Sequence, residues 1–177
     1  AARLGRPVGE CDPLVLEVHE AIRLPEAGLS ADPLPGYVPR EHDTVLREAA
    51  DRVLADGRSR LETLVGGSST GKTRACWELA RHLDATQSGR WRGWHPYDPT
   101  RPQAAVADLE RVGAYTVVWL NEAQHYLMPT DPRLGERLAA GLRTLLTDTG
   151  RAPVLVLATL WPQFWDTLTV RPDADQP

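Results

Sequence analysis

Apolar residues fall along this chain in two rhythms, and together they lay out an alternating α/β order. Short runs from Leu61 to Val65, Tyr115 to Leu120 and Pro153 to Thr159 are almost continuously apolar. Runs of this length, rich in Val and Leu and closed by glycine or polar residues, predict buried strands, with Tyr115 to Leu120 a central one covered on both faces. The stretches between them carry the helical period instead. A helix is expected from about Asp43 to Ala55, with Val45, Leu46, Ala49, Val53 and Leu54 on its inner stripe and Gly57 ending it. A second opens near Gly71 and places Cys76, Leu79, Ala80 and Leu83 at i, i+3, i+4 and i+7. A third, about Gln103 to Val112, turns Val106, Leu109 and Val112 inward. A fourth, Gly135 to Thr147, aligns Leu138, Leu142, Leu145 and Leu146.

The rest of the pattern is less regular. Residues 1–40 are Pro-rich and read as an extension ahead of a core spanning 41–170, with an unstructured tail at 171–177. Within the extension, Leu14 to Ile22 is periodic enough for a strand or a short helix. Asp12 followed by Pro13 favours the helix, because that pair makes a good N-cap and first position. His19 lies in this piece and receives no role. Tyr37, Val38 and Arg40 form either an apolar cover for a ligand base or an ordinary linker. Trp91 to His95 reads as an edge strand after the Ser88-Gly89-Arg90 turn. His95 lies near Asp98, but no nucleophile accompanies the pair, so it reads as aromatic packing with a polar rim.

Composition narrows the function classes. The 177 residues are 42% hydrophobic and 25% charged, enough for one domain with a real core. A formal net charge of -4 leaves no basic footprint for nucleic acid. No apolar run is long enough to span a bilayer and no signal peptide is visible, so a cytoplasmic location is expected. Cys11 and Cys76 are far apart, and Cys76 on an apolar helical face reads as a small core residue. Arginine supplies all of the permanent positive side-chain charge except that of Lys72, the only lysine.

That lysine stands in the segment with the most specific chemistry. Gly66-Gly67-Ser68-Ser69-Thr70-Gly71-Lys72-Thr73 matches G-x-x-x-x-G-K-[ST] at every fixed position, between an expected strand and an expected helix. Glycine at 66 and 71 permits turns and close approaches closed to other residues, so successive N–H groups can face phosphate oxygens. The following helix aims its positive end at the same anion. Lys72 would reach the terminal phosphates and the Thr73 hydroxyl would join the Mg2+ shell. The alternative is a Gly/Ser-rich connector with no ligand. Two other strand ends carry polar groups: Asn121-Glu122 after the second apolar run and Thr159 at the end of the third. Ligands bind at the carboxyl ends of strands in open α/β sheets.

Taken together, Gly66 to Thr73, Asn121-Glu122 and Thr159 resemble the Walker A, Walker B and sensor-1 positions of additional-strand P-loop ATPases, the division that includes the AAA+ and STAND families. The segments Gly-Gly-Ser-Ser-Thr-Gly-Lys-Thr-Arg-Ala-Cys-Trp-Glu, Trp-Leu-Asn-Glu-Ala-Gln-His-Tyr-Leu and Ala-Thr-Leu-Trp-Pro are similar to ATP-binding domains of large actinobacterial STAND-type regulators. The resemblance covers about Tyr37 to Thr169. It implies a three-layer α/β P-loop NTPase fold with a mostly parallel sheet. In spatial order the strands would run 61–65, 154–159, 115–120 and 91–95, all parallel. A further strand beside 61–65 and a helical lid would follow the third run, so the chain is expected to be a fragment or a truncated relative.

By the same resemblance, residues 66–74, Gly66, Gly67, Ser68, Ser69, Thr70, Gly71, Lys72, Thr73 and Arg74, would bind ATP. Thr73 and Asn121 would serve Mg2+, with Asn121 standing where many such enzymes have Asp. Glu122 would activate water, while Lys72 and Thr159 would contact the γ-phosphate. The implied role is a slow ATPase switch in a larger signalling protein, with other domains of the parent chain as partners. A second subunit would supply a catalytic arginine, for which Arg143 and Arg151 are weak internal candidates. The rival reading is a nucleotide-dependent interaction module without turnover. A small-molecule kinase is a third, and the sequence shows neither the acceptor pocket nor the Arg-rich lid it needs.

Overall fold

The computed structural model of the chain describes residues 4–19, 34–96 and 102–170. Its centre is a sheet of five strands: β1 (Arg6–Pro7), β2 (Arg60–Val65), β3 (Arg92–Trp94), β4 (Thr116–Leu120) and β5 (Val154–Leu160). Their spatial order is β1-β3-β4-β5-β2. Strands β2, β5, β4 and β3 are mutually parallel in the expected sequence, and β1 adds antiparallel to β3.

Helices cover both faces, and strand alternation shows which side each residue serves. Val117, Trp119, Leu155 and Leu157 join a core with α1 (Glu41–Asp56) and α2 (Lys72–Thr86). Val118, Leu120, Val154, Val156 and Ala158 face the opposite way, against α3 (Pro102–Leu109), α4 (Gln124–Leu127) and α5 (Pro132–Thr147). A last helix, α6 (Pro162–Thr169), follows β5. The chain crosses from β2 to β3 through α2 on one face. It then returns through β4 to β5 with α3 and α5 on the other face. Reversing direction while keeping one crossover hand requires this change of face. The architecture is therefore three-layer α/β with a mostly parallel sheet.

Several expectations are corrected. Strand β2 pairs only with β5, so it is an edge rather than a buried strand; Leu61 and Val65 are exposed. Strand β3, expected at the edge, is covered there by β1. Arg92 secures that contact by donating from Nε to Leu4 O at 3.1 Å and from Nη2 to Gly5 O. The Pro-rich leader thus supplies a strand and, through Val8, Leu16 and Val18, part of the core. No helix follows Pro13 within the described residues. Asp12 Oδ1 accepts from Leu14 N at 2.9 Å, and the chain turns through Glu17, whose φ is 61°. Burial of Leu16 and Val18 on either side of Glu17 selects this turn over the helix. Ile22, Asp98 and the tail from 171 lie outside the described residues.

The helices match the periodic pattern more closely. In α1, Leu46, Ala49, Ala50 and Val53 are buried and Gly57 takes the left-handed cap at φ 67°, but Val45 is exposed. Helix α5 starts at Pro132, three residues before the expected Gly135, because Asp131 accepts from Arg133 N at 3.0 Å and Pro132 suits the first position. No helix among the described residues is long and apolar enough to cross a membrane.

Candidate nucleotide-binding site

Gly66 to Gly71 connects the carboxyl end of β2 to the first turn of α2. Gly66 N donates to Leu160 O at 3.1 Å, which extends the β2–β5 ladder by one bond and ties the loop to the end of β5. The two glycines at fixed positions of the motif act differently. Gly71 has φ 85° and forms the N-cap of α2, a conformation that disfavours a side chain. At Gly66 the reason is space, since a Cβ there would stand 3.0 Å from Thr70 Oγ1. Ser69 also occupies the left-handed region, at φ 56°, which the pattern alone did not indicate.

Helix α2 is 15 residues long and begins without a capping side chain. By contrast, Asp131 caps α5, and Asp43 Oδ2 accepts the Arg40 N–H at the start of α1 at 2.6 Å. Uncapped first-turn N–H groups at the positive end of a long helix leave donors for an anion. Lys72 lies beside them. Its Nζ donates to Gly66 O at 2.8 Å and Gly67 O at 2.6 Å, and among the described residues no carboxylate pairs with it. The only lysine is thus held in the loop by neutral carbonyls, with its charge uncompensated. Thr73 is half-buried in the first turn of α2, and Ser68, Ser69 and Thr70 are exposed.

Neighbouring elements brace the loop. Arg40 Nη1 donates to Thr70 O at 2.7 Å. Tyr37 OH donates to the buried Asp43 carboxylate at 2.7 and 2.8 Å, and burial together with Asp43 raises the phenol's pKa above its usual 10. Val38 is 76% exposed. Arg74, expected among the nucleotide-binding residues, is engaged elsewhere: Nε bonds Glu78 Oε1 at 2.8 Å, Nη2 bonds Pro35 O at 2.9 Å, and the guanidinium lies over the Tyr37 ring. A cavity of about 440 Å3 opens beside the loop between α1 and β2, lined by Val45, Leu46, Glu62, Leu64, Gly66 and Lys72 among others. Partial burial raises the Glu62 pKa within it. Cys76, one turn into α2, is fully buried, and that burial pushes its thiol up to about 12.

The polar ends of β4 and β5 converge on a hydrogen-bonded knot. Thr159 is 2% exposed; its hydroxyl donates to Asn121 Oδ1 at 2.7 Å and accepts the Glu122 N–H at 2.8 Å. Glu122 sits at φ 48°, and its two carboxylate oxygens have separate partners. Trp161 Nε1 donates to Oε1 at 3.2 Å, and His125 Nε2 lies 3.1 Å from Oε2. Asn121 Nδ2 donates to Glu17 Oε2 at 2.6 Å. Sequence reasoning missed Glu17, Trp161 and His125. His125 had a local signal, three residues after Glu122 at the start of a helix, whereas Glu17 had none.

The structure therefore brings Asn121, Glu122 and Thr159 together, and Gly66 joins them to the glycine loop through Leu160. Among the described residues no three His, Cys, Asp or Glu side chains form a group able to hold a metal. The oxygens at this strand end are the Asn121 amide, the Thr159 hydroxyl and the Glu122 carboxylate, hard donors of the kind a magnesium ion takes when phosphate and water complete its shell. Of the weaker arginine candidates, Arg151 is held by Asp148 Oδ2 at 2.7 Å and Leu109 O at 3.0 Å, and Arg143 is exposed on α5. His95 is buried with Nδ1 3.0 Å from Trp119 O, in keeping with a packing role. No family model matches the chain, and no curated protein does.

Proposed function

We propose that the chain is a P-loop domain of the additional-strand type that binds ATP with Mg2+, hydrolyses it slowly and acts as a nucleotide switch in a larger regulatory protein of the cytoplasm. One observation carries the reading. The sole lysine lies in a glycine loop at the uncapped start of a long helix, bonded by carbonyls and by no carboxylate among the described residues. This is a site prepared for an anion, and the carboxyl-end position suits a nucleotide.

In this reading the loop N–H groups and Lys72 hold the β- and γ-phosphates, and Thr73 with Asn121 holds the cation's inner and outer shells. Bound Mg2+ supplies charge neutralisation on the phosphates. Glu122 takes the proton of the attacking water, and Thr159 fixes the strand end from which Glu122 projects. The arginine that would complete the site is expected from a second subunit, since Arg151 is already held by Asp148 and Leu109. Other domains of a parent chain are the proposed partners.

A second reading, binding without turnover, has its own support. Both Glu122 oxygens are engaged, by Trp161 and His125, and Asn121 brings no charge. Under it ATP sets conformation only.

The test of nucleotide binding is Lys72→Ala, followed by calorimetric titration with ATP and Mg2+. Lys72 bonds only loop carbonyls, so circular dichroism should be unchanged. Affinity should fall at least tenfold, about 1.4 kcal/mol. Undiminished affinity would overturn the proposal.

A further inference from the structure

We propose that Glu17 supplies the negative charge that Asn121 lacks, and so helps to hold the nucleotide's divalent cation through its water shell. The inference rests on the nucleotide-binding reading above. Its starting point is a contact between residues 104 positions apart: Asn121 Nδ2 donates to Glu17 Oε2 at 2.6 Å. The orientation of the amide follows from its other end, where Oδ1 accepts the Thr159 hydroxyl. The Asn121 side chain is thus held between β5 and the leader segment, with a carboxylate against its nitrogen. Among the described residues no other group bonds that carboxylate, which leaves its second oxygen to water or a cation.

The placement of Glu17 is over-determined. Leu16 and Val18 on either side of it are 5% and 1% exposed and belong to the core. Leu16 O accepts from Trp119 Nε1 at 3.0 Å, two residues before Asn121 on β4. Glu17 N donates to Leu14 O at 3.0 Å, and Val18 N donates to Pro13 O at 2.9 Å. Between these anchors Glu17 is held at φ 61°, a left-handed conformation that disfavours a side chain. A purely structural turn would be served by glycine without that cost. The side chain kept there reaches the amide at the carboxyl end of β4. Outer-shell carboxylates that orient a ligand and supply charge commonly set metal affinity.

A charge relocation tests the idea with Mn2+ as the probe. Free Mn2+ is read by electron paramagnetic resonance in the full chain loaded with a non-hydrolysable ATP analogue. Glu17→Gln keeps an acceptor for Asn121 and removes only the charge. It should weaken Mn2+ binding by about tenfold or more, while analogue affinity in EDTA stays unchanged. Glu17→Gln with Asn121→Asp reverses the hydrogen bond and restores the charge at its other end, so Mn2+ affinity should return. A latch that merely tethers the leader would leave Mn2+ affinity unmoved by Glu17→Gln, and that result overturns the proposal. So does tighter Mn2+ binding by Glu17→Gln, or failure of the double variant to recover. If the unmodified chain binds no analogue even in EDTA, the nucleotide reading fails first, and this proposal fails with it.

Discussion

Thr159 on β5 and Asn121, the first residue past the adjacent β4, are 38 positions apart and are joined by a 2.7 Å hydrogen bond in which the threonine hydroxyl donates. The same hydroxyl accepts the Glu122 N–H at 2.8 Å, so one buried oxygen fixes both residues of the polar strand end. It also explains how Glu122 keeps a left-handed φ of 48°, because its N–H is held where the turn needs it.

Thr159→Val tests that bridge. The shape is nearly conserved, but the Glu122 N–H loses its acceptor and Asn121 Oδ1 loses a donor. Loss of a buried bond that leaves a partner unsatisfied costs about 1–3 kcal/mol. The urea midpoint should fall accordingly, and amide exchange at Glu122 should quicken. An unchanged midpoint together with unchanged exchange would show that the hydroxyl is not what holds this turn.

Glu122→Gln separates turnover from binding. The amide keeps the size of the side chain and can still accept from Trp161, but it takes no proton from water. ATP should bind as before while hydrolysis falls by roughly 100-fold, the scale of general-base assistance. Phosphate release measured on the intact parent protein decides the matter. Equal release by the variant and the unmodified chain would favour the binding-only reading.

Tyr37→Phe probes the latch at the start of α1. The neutral phenol donates to the Asp43 carboxylate, and its pKa is raised above 10 by burial and by Asp43. A raised folded-state pKa means the stabilisation is whole below pH 10 and fades as pH climbs through the folded value. Urea unfolding at pH 7 should show Tyr37→Phe less stable by about 1 kcal/mol. Above pH 10 the gap between the two proteins should narrow. A gap that stays constant with pH would contradict the assigned ionisation.

Local pattern determined the elements of this protein well. The apolar runs at 61–65, 115–120 and 154–159 became parallel strands, and the stripes in α1, α2 and α5 face the core, because periods of 2 and 3.6 are written into neighbouring residues. The glycine loop was equally legible, since it depends on the left-handed turn at Gly71 and on the space left at Gly66. Pairing across the sheet was not written locally. Nothing within Leu61 to Val65 says that only one neighbour will flank it, and so Leu61 and Val65 are exposed although they read as core. Asp12-Pro13 signals a helix by itself, yet burial of Leu16 and Val18 against distant residues bends the chain at Glu17 instead. Only that bend carries the Glu17 carboxylate to Asn121, for a contact between residues 104 positions apart is decided by packing and has no local code.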